Sequence, residues 1–146
     1  PEVAGIFQQS HYSEPHTWNK DAPAVKKMMR TPNTYGYFTA TYTPIKPLSI
    51  ALSGTYTGSM LVPHEPVPGF LENPITVNTK DFFDIGLKAA YDFKLYKSMN
   101  LQINAGIQNI FNAYQDDFDK GADRDSGYIY GPSLPRSFFA GVKISY

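Results

Sequence analysis

The chain has 146 residues, zero formal net charge from 13 basic and 13 acidic side chains, and no cysteine. That excludes a disulfide framework and cysteine-ligated metals, and the lack of a broad cationic field argues against nucleic acid as a partner. Charged residues reach only 18%, against roughly 25% in a typical soluble domain, while aromatics reach 15%, with 11 Tyr and 10 Phe to one Trp. Tyr and Phe favour strands and also the boundary between lipid and water.

No apolar run of about 18 residues is present, so the sequence holds no transmembrane helix. This leaves a membrane open, because the alternation of barrel strands cancels in a hydropathy average. No signal peptide stands at the start; the opening on Pro1 fits a processed product or an excised piece. Residues 1–33 are rich in His, Pro and Asn and read as the remainder of an external loop. Within them Ala24–Arg30 is the one stretch with the look of a short helix.

From Thr34 the period becomes two, and residues 34–146 read as five long antiparallel strands: about 34–43, 48–60, 81–94, 100–112 and 136–146. One face is free of charge. It carries Phe38, Ala40 and Tyr42, then Leu48, Ile50, Leu52, Gly54 and Tyr56, then Phe83, Ile85, Leu87, Ala89, Tyr91 and Phe93. Leu101, Ile103, Ala105 and Ile107 follow, then Phe138, Ala140, Val142, Ile144 and Tyr146. The opposite face is small or polar, with Asp84, Lys88, Asp92 and Lys143 placed mid-strand as a charge ladder. Such alternation gives every strand one apolar and one wet side. The connections alternate as well: short over Pro44–Pro47 and near Tyr96–Met99, long over 61–80 and 113–135.

A soluble β-sandwich or small barrel would show the same periodicity. Three features favour a membrane barrel. The strands match the roughly 9–11 residues that a tilted membrane strand needs. Tyr56, Phe83, Phe111 and Phe138 fall at the long-loop ends of the apolar face, and Tyr42, Tyr91, Phe93 and Tyr146 at the short-turn ends, as two girdles. The Gly, Ser, Asn and Gln of the other face suit a lumen better than a solvated surface. Five strands do not close a membrane barrel, whose smallest form has about eight, so the chain reads as a piece of a larger one. With its apolar face uncovered it is expected to self-associate or to require detergent.

The stretch Gln108-Asn109-Ile110-Phe111-Asn112-Ala113-Tyr114 resembles the penultimate-strand motif of TonB-dependent outer-membrane receptors, and Pro135 to Tyr146 resembles their last strand. Asp119 to Tyr128 is similar to receptors of the Bacteroidetes type. The resemblance is specific over 100–146, weaker over 34–99 and absent over 1–33. It implies the C-terminal part of a barrel of about 22 strands in the outer membrane of a Gram-negative bacterium. Its implied function is uptake of an iron-siderophore, haem, cobalamin or another large nutrient, with energy passed by TonB through a plug this chain lacks, so the chain alone would not transport. The implied partners are outer-membrane lipid, the remainder of the receptor and the barrel-assembly machinery. For that machinery Phe138, Val142, Ile144 and Tyr146 resemble the signal that is read. The alternatives are a soluble lipocalin-like domain binding a small ligand and an outer-membrane structural protein without transport.

Little else points to chemistry. His64, Phe70, Tyr128 and Tyr130 are candidate ligand-contacting loop residues, although packing of the loops on one another explains the aromatics equally well. Asp116, Asp117, Asp119, Asp123 and Asp125 cluster in the last loop, where oxygen ligands suit calcium, but Lys120 and Arg124 offset their charge and the spacing is not that of an EF-hand. His11 and His16 stand with Glu14 in the first segment without metal-site spacing. No catalytic motif occurs, so neither an enzyme nor a bound cofactor is expected.

Overall fold

The computed structural model describes residues 1–96, 98–132 and 134–146, and they are all strand, turn and loop. Lys97, inside the expected short turn between Tyr96 and Met99, lies outside the described residues. Ten strands follow in order: β1 (Glu2–Phe7), β2 (His11–His16), β3 (Val25–Lys27), β4 (Thr34–Ile45), β5 (Leu48–Thr57), β6 (Leu61–His64), β7 (Ile75–Asn78), β8 (Phe82–Tyr96), β9 (Met99–Gln108) and β10 (Ser137–Ser145). One six-stranded antiparallel sheet runs β1-β4-β5-β8-β9-β10, and β2-β3 and β6-β7 form two small ribbons. The large sheet is an up-and-down meander whose long connections all leave from the same edge.

The apolar face expected from the sequence is continuous, because register aligns it across every pair. Ala40 lies opposite Leu52, Leu52 opposite Leu87, Leu87 opposite Ile107 and Ile107 opposite Phe138. Among the described residues nothing covers this face: Leu87 is 40% exposed, Ile103 46% and Val142 67%. At its long-loop end the rings of Phe38, Tyr56 and Phe111 gather around Phe83, with centroids 6.3–6.4 Å from it. Near the short turns Tyr91 and Phe93 meet at 4.5 Å.

Two expectations are corrected. Residues 1–33 are not loop throughout, since Glu2–Phe7 pairs antiparallel with β4 and adds a sixth strand, setting Val3 opposite Phe38. Its six residues, broken by Gly5, are too short and too weakly patterned to stand out. Ala24–Arg30 is not helical, since Val25–Lys27 pairs with β2 through His11–Lys27 and His16–Val25. A helix of seven residues has a nucleation cost that so few hydrogen bonds do not offset, and Arg30 leaves the segment with a φ of 55°. Strand ends shift for local reasons. β5 stops at Thr57, where the Gly58 amide donates to the Thr34 carbonyl at 2.7 Å. β9 stops at Gln108, where Asn109 adopts a φ of 50°.

The dense packing lies among the loops. Met60, Val62 and Tyr128 form a buried cluster flanked by Val77 and Tyr130. Loops 61–80 and 113–135 thus supply each other's core, and Arg30 joins the first excursion to both. Its amide donates to the Leu61 carbonyl at 2.7 Å and its guanidinium to the Gly127 carbonyl at 3.2 Å.

Two glycines hold the sheet in register by accepting aromatic rings. Phe38 lies over the directly opposite Gly54, and on the other face Phe139 lies over Gly106. A Cβ at Gly106 would strike that ring and would sit 2.6 Å from the Leu87 carbonyl oxygen, whereas at Gly5 it would meet nothing within 4 Å. Gly106→Ala is therefore expected to destabilise the folded chain by roughly 1–3 kcal/mol, the usual cost of overpacking. Gly5→Ala should stay within about 0.5 kcal/mol, both read from urea unfolding in detergent.

Candidate functional site

At the long-loop end, β6 and loop 113–135 bring three of the four candidate loop residues together. The His64 ring stacks on Tyr128 with centroids 4.0 Å apart and planes 17° apart, and Tyr128 meets Tyr130 edge-on at 5.5 Å. Both phenols donate to Asp117, Tyr128 to Oδ2 at 3.1 Å and Tyr130 to Oδ1. His64 Nε2 pairs with Asp119 Oδ1, and Asp119 Oδ2 accepts from the Asp125 amide at 3.0 Å. Phe70 stands apart, largely exposed, with its ring against Gly121, whose φ is 94°.

Burial raises the pKa of the Tyr128 and Tyr130 phenols far above the ordinary value, and the adjacent Asp117 adds to the effect. Both hydroxyls therefore remain protonated donors across physiological pH. At the rim Lys80 donates to Asp116, which raises the lysine pKa and lowers that of the carboxylate. With these polar groups engaged, the cluster is a clasp between two loops.

The aspartates of this loop answer to separate partners. Asp116 meets Lys80, Asp117 the two phenols, Asp119 His64, and Asp125 the Gly127 amide at 2.7 Å. Among the described residues no group of three His, Cys, Asp or Glu side chains is placed to hold a metal ion. His11 and His16 lie on β2, with His16 against the Tyr12 ring at 4.9 Å. The four assembly-signal candidates, Phe138, Val142, Ile144 and Tyr146, are all strongly exposed, and the first three line the apolar face of the edge strand β10.

Two buried amides were not among the candidate site residues. Asn109, 2% exposed, donates from Nδ2 to the carbonyls of Ala113 (2.8 Å) and Leu134 (2.9 Å) and accepts from the Ala113 amide at 2.8 Å. Three residues on, Asn112 Oδ1 accepts from the Arg136 amide at 2.9 Å. The Asn109-Ile110-Phe111-Asn112 stretch thus turns the chain out of β9 and ties down the entry to β10. Gln115, 1% exposed, donates to the Tyr128 carbonyl at 2.8 Å and accepts from the Tyr130 amide at 2.9 Å. Asn109 carried a signal, since asparagine tolerates a left-handed backbone; Gln115 carried none.

These amides hold residues 128–132 and 134–135 over the polar face of the sheet. Beneath lies an open cleft of about 410 Å³, lined by Ser53, Thr55, Asp84, Gln108, Pro132, Leu134 and Pro135. It adjoins a second space of about 330 Å³ walled by Phe82 and Tyr130. The expected charge ladder is not paired: among the described residues Asp84, Lys88, Asp92 and Lys143 make no ion pair. Asp92 instead accepts from Gln102 at 2.8 Å.

Neither a protein-family model, nor a curated protein, nor a solved structure matches this chain. Asn109→Ala is expected to cost roughly 1–3 kcal/mol by stranding buried backbone groups and to speed hydrogen exchange at the Ala113 amide. Asn109→Gly, which keeps the backbone geometry but loses the same bonds, should be similarly destabilised if the side chain and not the φ value carries the effect.

Proposed function

We propose that this chain is the C-terminal wall segment of a TonB-dependent outer-membrane receptor, built to face lipid with one side of its sheet and a lumen with the other. The observation that carries the reading is the shared register of the apolar face from β4 to β10, left uncovered by the chain itself. A soluble domain of this size would fold such a face inward. The strands of that face run 12, 10, 15, 10 and 9 residues, close to the roughly 9–11 that span a bilayer at a tilt. The cluster of Phe38, Tyr56, Phe83 and Phe111 rings suits one membrane interface and the Tyr91–Phe93 pair the other.

Alternation of short and long connections supports the same assignment, because outer-membrane barrels keep short turns on the periplasmic side and long loops outside. The sheet is open, with β1 and β10 at its edges, so the rest of the wall comes from elsewhere in the receptor. In this reading β10 offers its exposed apolar residues to the barrel-assembly machinery. Import of a large nutrient is the work of the whole receptor, with the plug and TonB.

The chain contains no cysteine, which permits single spin labels on either face. Labels at Leu87→Cys and Ile103→Cys, in lipid vesicles, are expected to collide with dissolved oxygen, and those at Lys88→Cys and Gln102→Cys with a water-soluble nickel complex. Equal water access on both faces would overturn the lipid assignment. Ile103→Lys should also cost roughly 2–4 kcal/mol in a bilayer, as for charges at the midplane of a barrel's lipid face. For the receptor assignment, the parent gene is expected to encode a plug with a TonB box upstream. Its absence would leave a barrel without TonB-driven uptake.

A further inference from the structure

The strap over the polar face leaves one unmatched charge. Asp84 projects from β8 into the cleft, half-buried, and no hydrogen bond or ion pair reaches its carboxylate among the described residues. It lines both the larger cleft and the adjoining space, and Thr55 does the same. The strap is secured at several of its described residues. Gln115 fixes its start, Asn109 fixes Leu134, and Gly131 rests so close to Phe82 that a Cβ there would lie 2.7 Å from the ring. Two almost fully buried amides thus maintain a gap whose floor is an uncompensated carboxylate.

The chemistry that satisfies this arrangement is a compact organic cation. A carboxylate with reduced access to water gains most from a charge-assisted N–H donor. The hydroxyls of Ser53 and Thr55 and the Gln108 carbonyl can accept its remaining N–H bonds. Next to the carboxylate, Phe82 and Tyr130 stand with ring centroids 6.0 Å apart. They offer an apolar wall to its stem. The combined space falls within the usual range for small ligands of roughly 300–1,000 Å³.

The geometry points to a binding site for an amine or guanidine with a short aromatic or aliphatic stem, its cationic head on Asp84 and its stem along Phe82, Tyr130 and Pro132. The site is built by this chain alone and does not depend on which medium faces the other side of the sheet.

The test titrates the folded chain in neutral maltoside micelles with phenethylamine and with its uncharged counterpart 2-phenylethanol, followed by amide NMR shifts. Phenethylamine is expected to bind at least tenfold more tightly and to move the Gly86 and Gly131 amides. Asp84→Asn should abolish the preference, while Asp92→Asn, outside the cleft, should keep it. Equal binding of amine and alcohol to the unsubstituted chain would overturn the proposal, whatever the variants do. So would an amine preference that survives Asp84→Asn, or shifts confined to residues outside the cleft. If Asp84→Asn fails to fold, Thr55→Val is expected to weaken amine binding severalfold, and an unchanged affinity there would count against the site.

Discussion

Cross-strand register is the constraint on which the rest of this structure depends. Side chains alternate with a period of two, so a slip of one residue in any pair would send an apolar row to the wet face and a polar row to the other. Ala40, Leu52, Leu87, Ile107 and Phe138 stand in one line only because four consecutive pairings agree. Several devices enforce that agreement. The tight connection at Lys46–Pro47 sets β4 against β5. The rings of Phe38 and Phe139 fit over Gly54 and Gly106, one on each face. The Asn109 turn then fixes the entry to the last strand by binding Ala113 and Leu134 at one end while Asn112 binds Arg136 at the other.

A sheet so arranged gains little from its own apolar face, which this chain leaves uncovered. Its internal packing therefore moves to the loops. Met60, Val62 and Tyr128 bury one another where two long connections meet, an inversion of the soluble pattern in which loops ride on a core made by strands. A loop core brings backbone polar groups with it, and those need partners. This explains why the most buried polar side chains include amides: Asn109 and Gln115 each carry donor and acceptor in one group, as irregular backbone requires. The His64–Asp119 and tyrosine–Asp117 contacts extend the same solution outward.

The fold was legible in the sequence where a period persisted. Strands β4, β5, β8, β9 and β10 were visible with their faces because each repeats the alternation over 9–15 residues. β1 was not, since six residues with a central glycine carry too little pattern, and its pairing is decided by β4 more than by its own residues. Val25–Lys27 looked helical because Ala24, Lys26, Lys27 and the methionines are good helix formers, but its pairing with β2 outweighs that preference. His64, Tyr128 and Tyr130 could be named as loop candidates, yet their convergence depends on how two loops separated by two strands pack. The sequence spacing of His64 and Asp119, 55 residues, holds no trace of it. Phe70 was chosen on the same grounds and lies elsewhere.

The unpaired ladder on the polar face gives Asp84 its meaning. Charges four residues apart on one strand face are separated by about 13 Å, from a rise of roughly 3.3 Å per residue. This exceeds the screening length of about 8 Å at physiological salt. Asp84, Lys88 and Asp92 therefore do not neutralise one another, and each answers to what stands beside it. Asp92 has the Gln102 amide; Lys88 is exposed to solvent. Asp84 alone of the three is half-buried beneath a strap, and no donor among the described residues reaches it. Burying a carboxylate in part without a partner is unfavourable, and a folded chain could remove the cost by a single change to asparagine or threonine. A strap held by Asn109 and Gln115 over an unpaired acid is the arrangement expected where a cation from outside the chain completes the site.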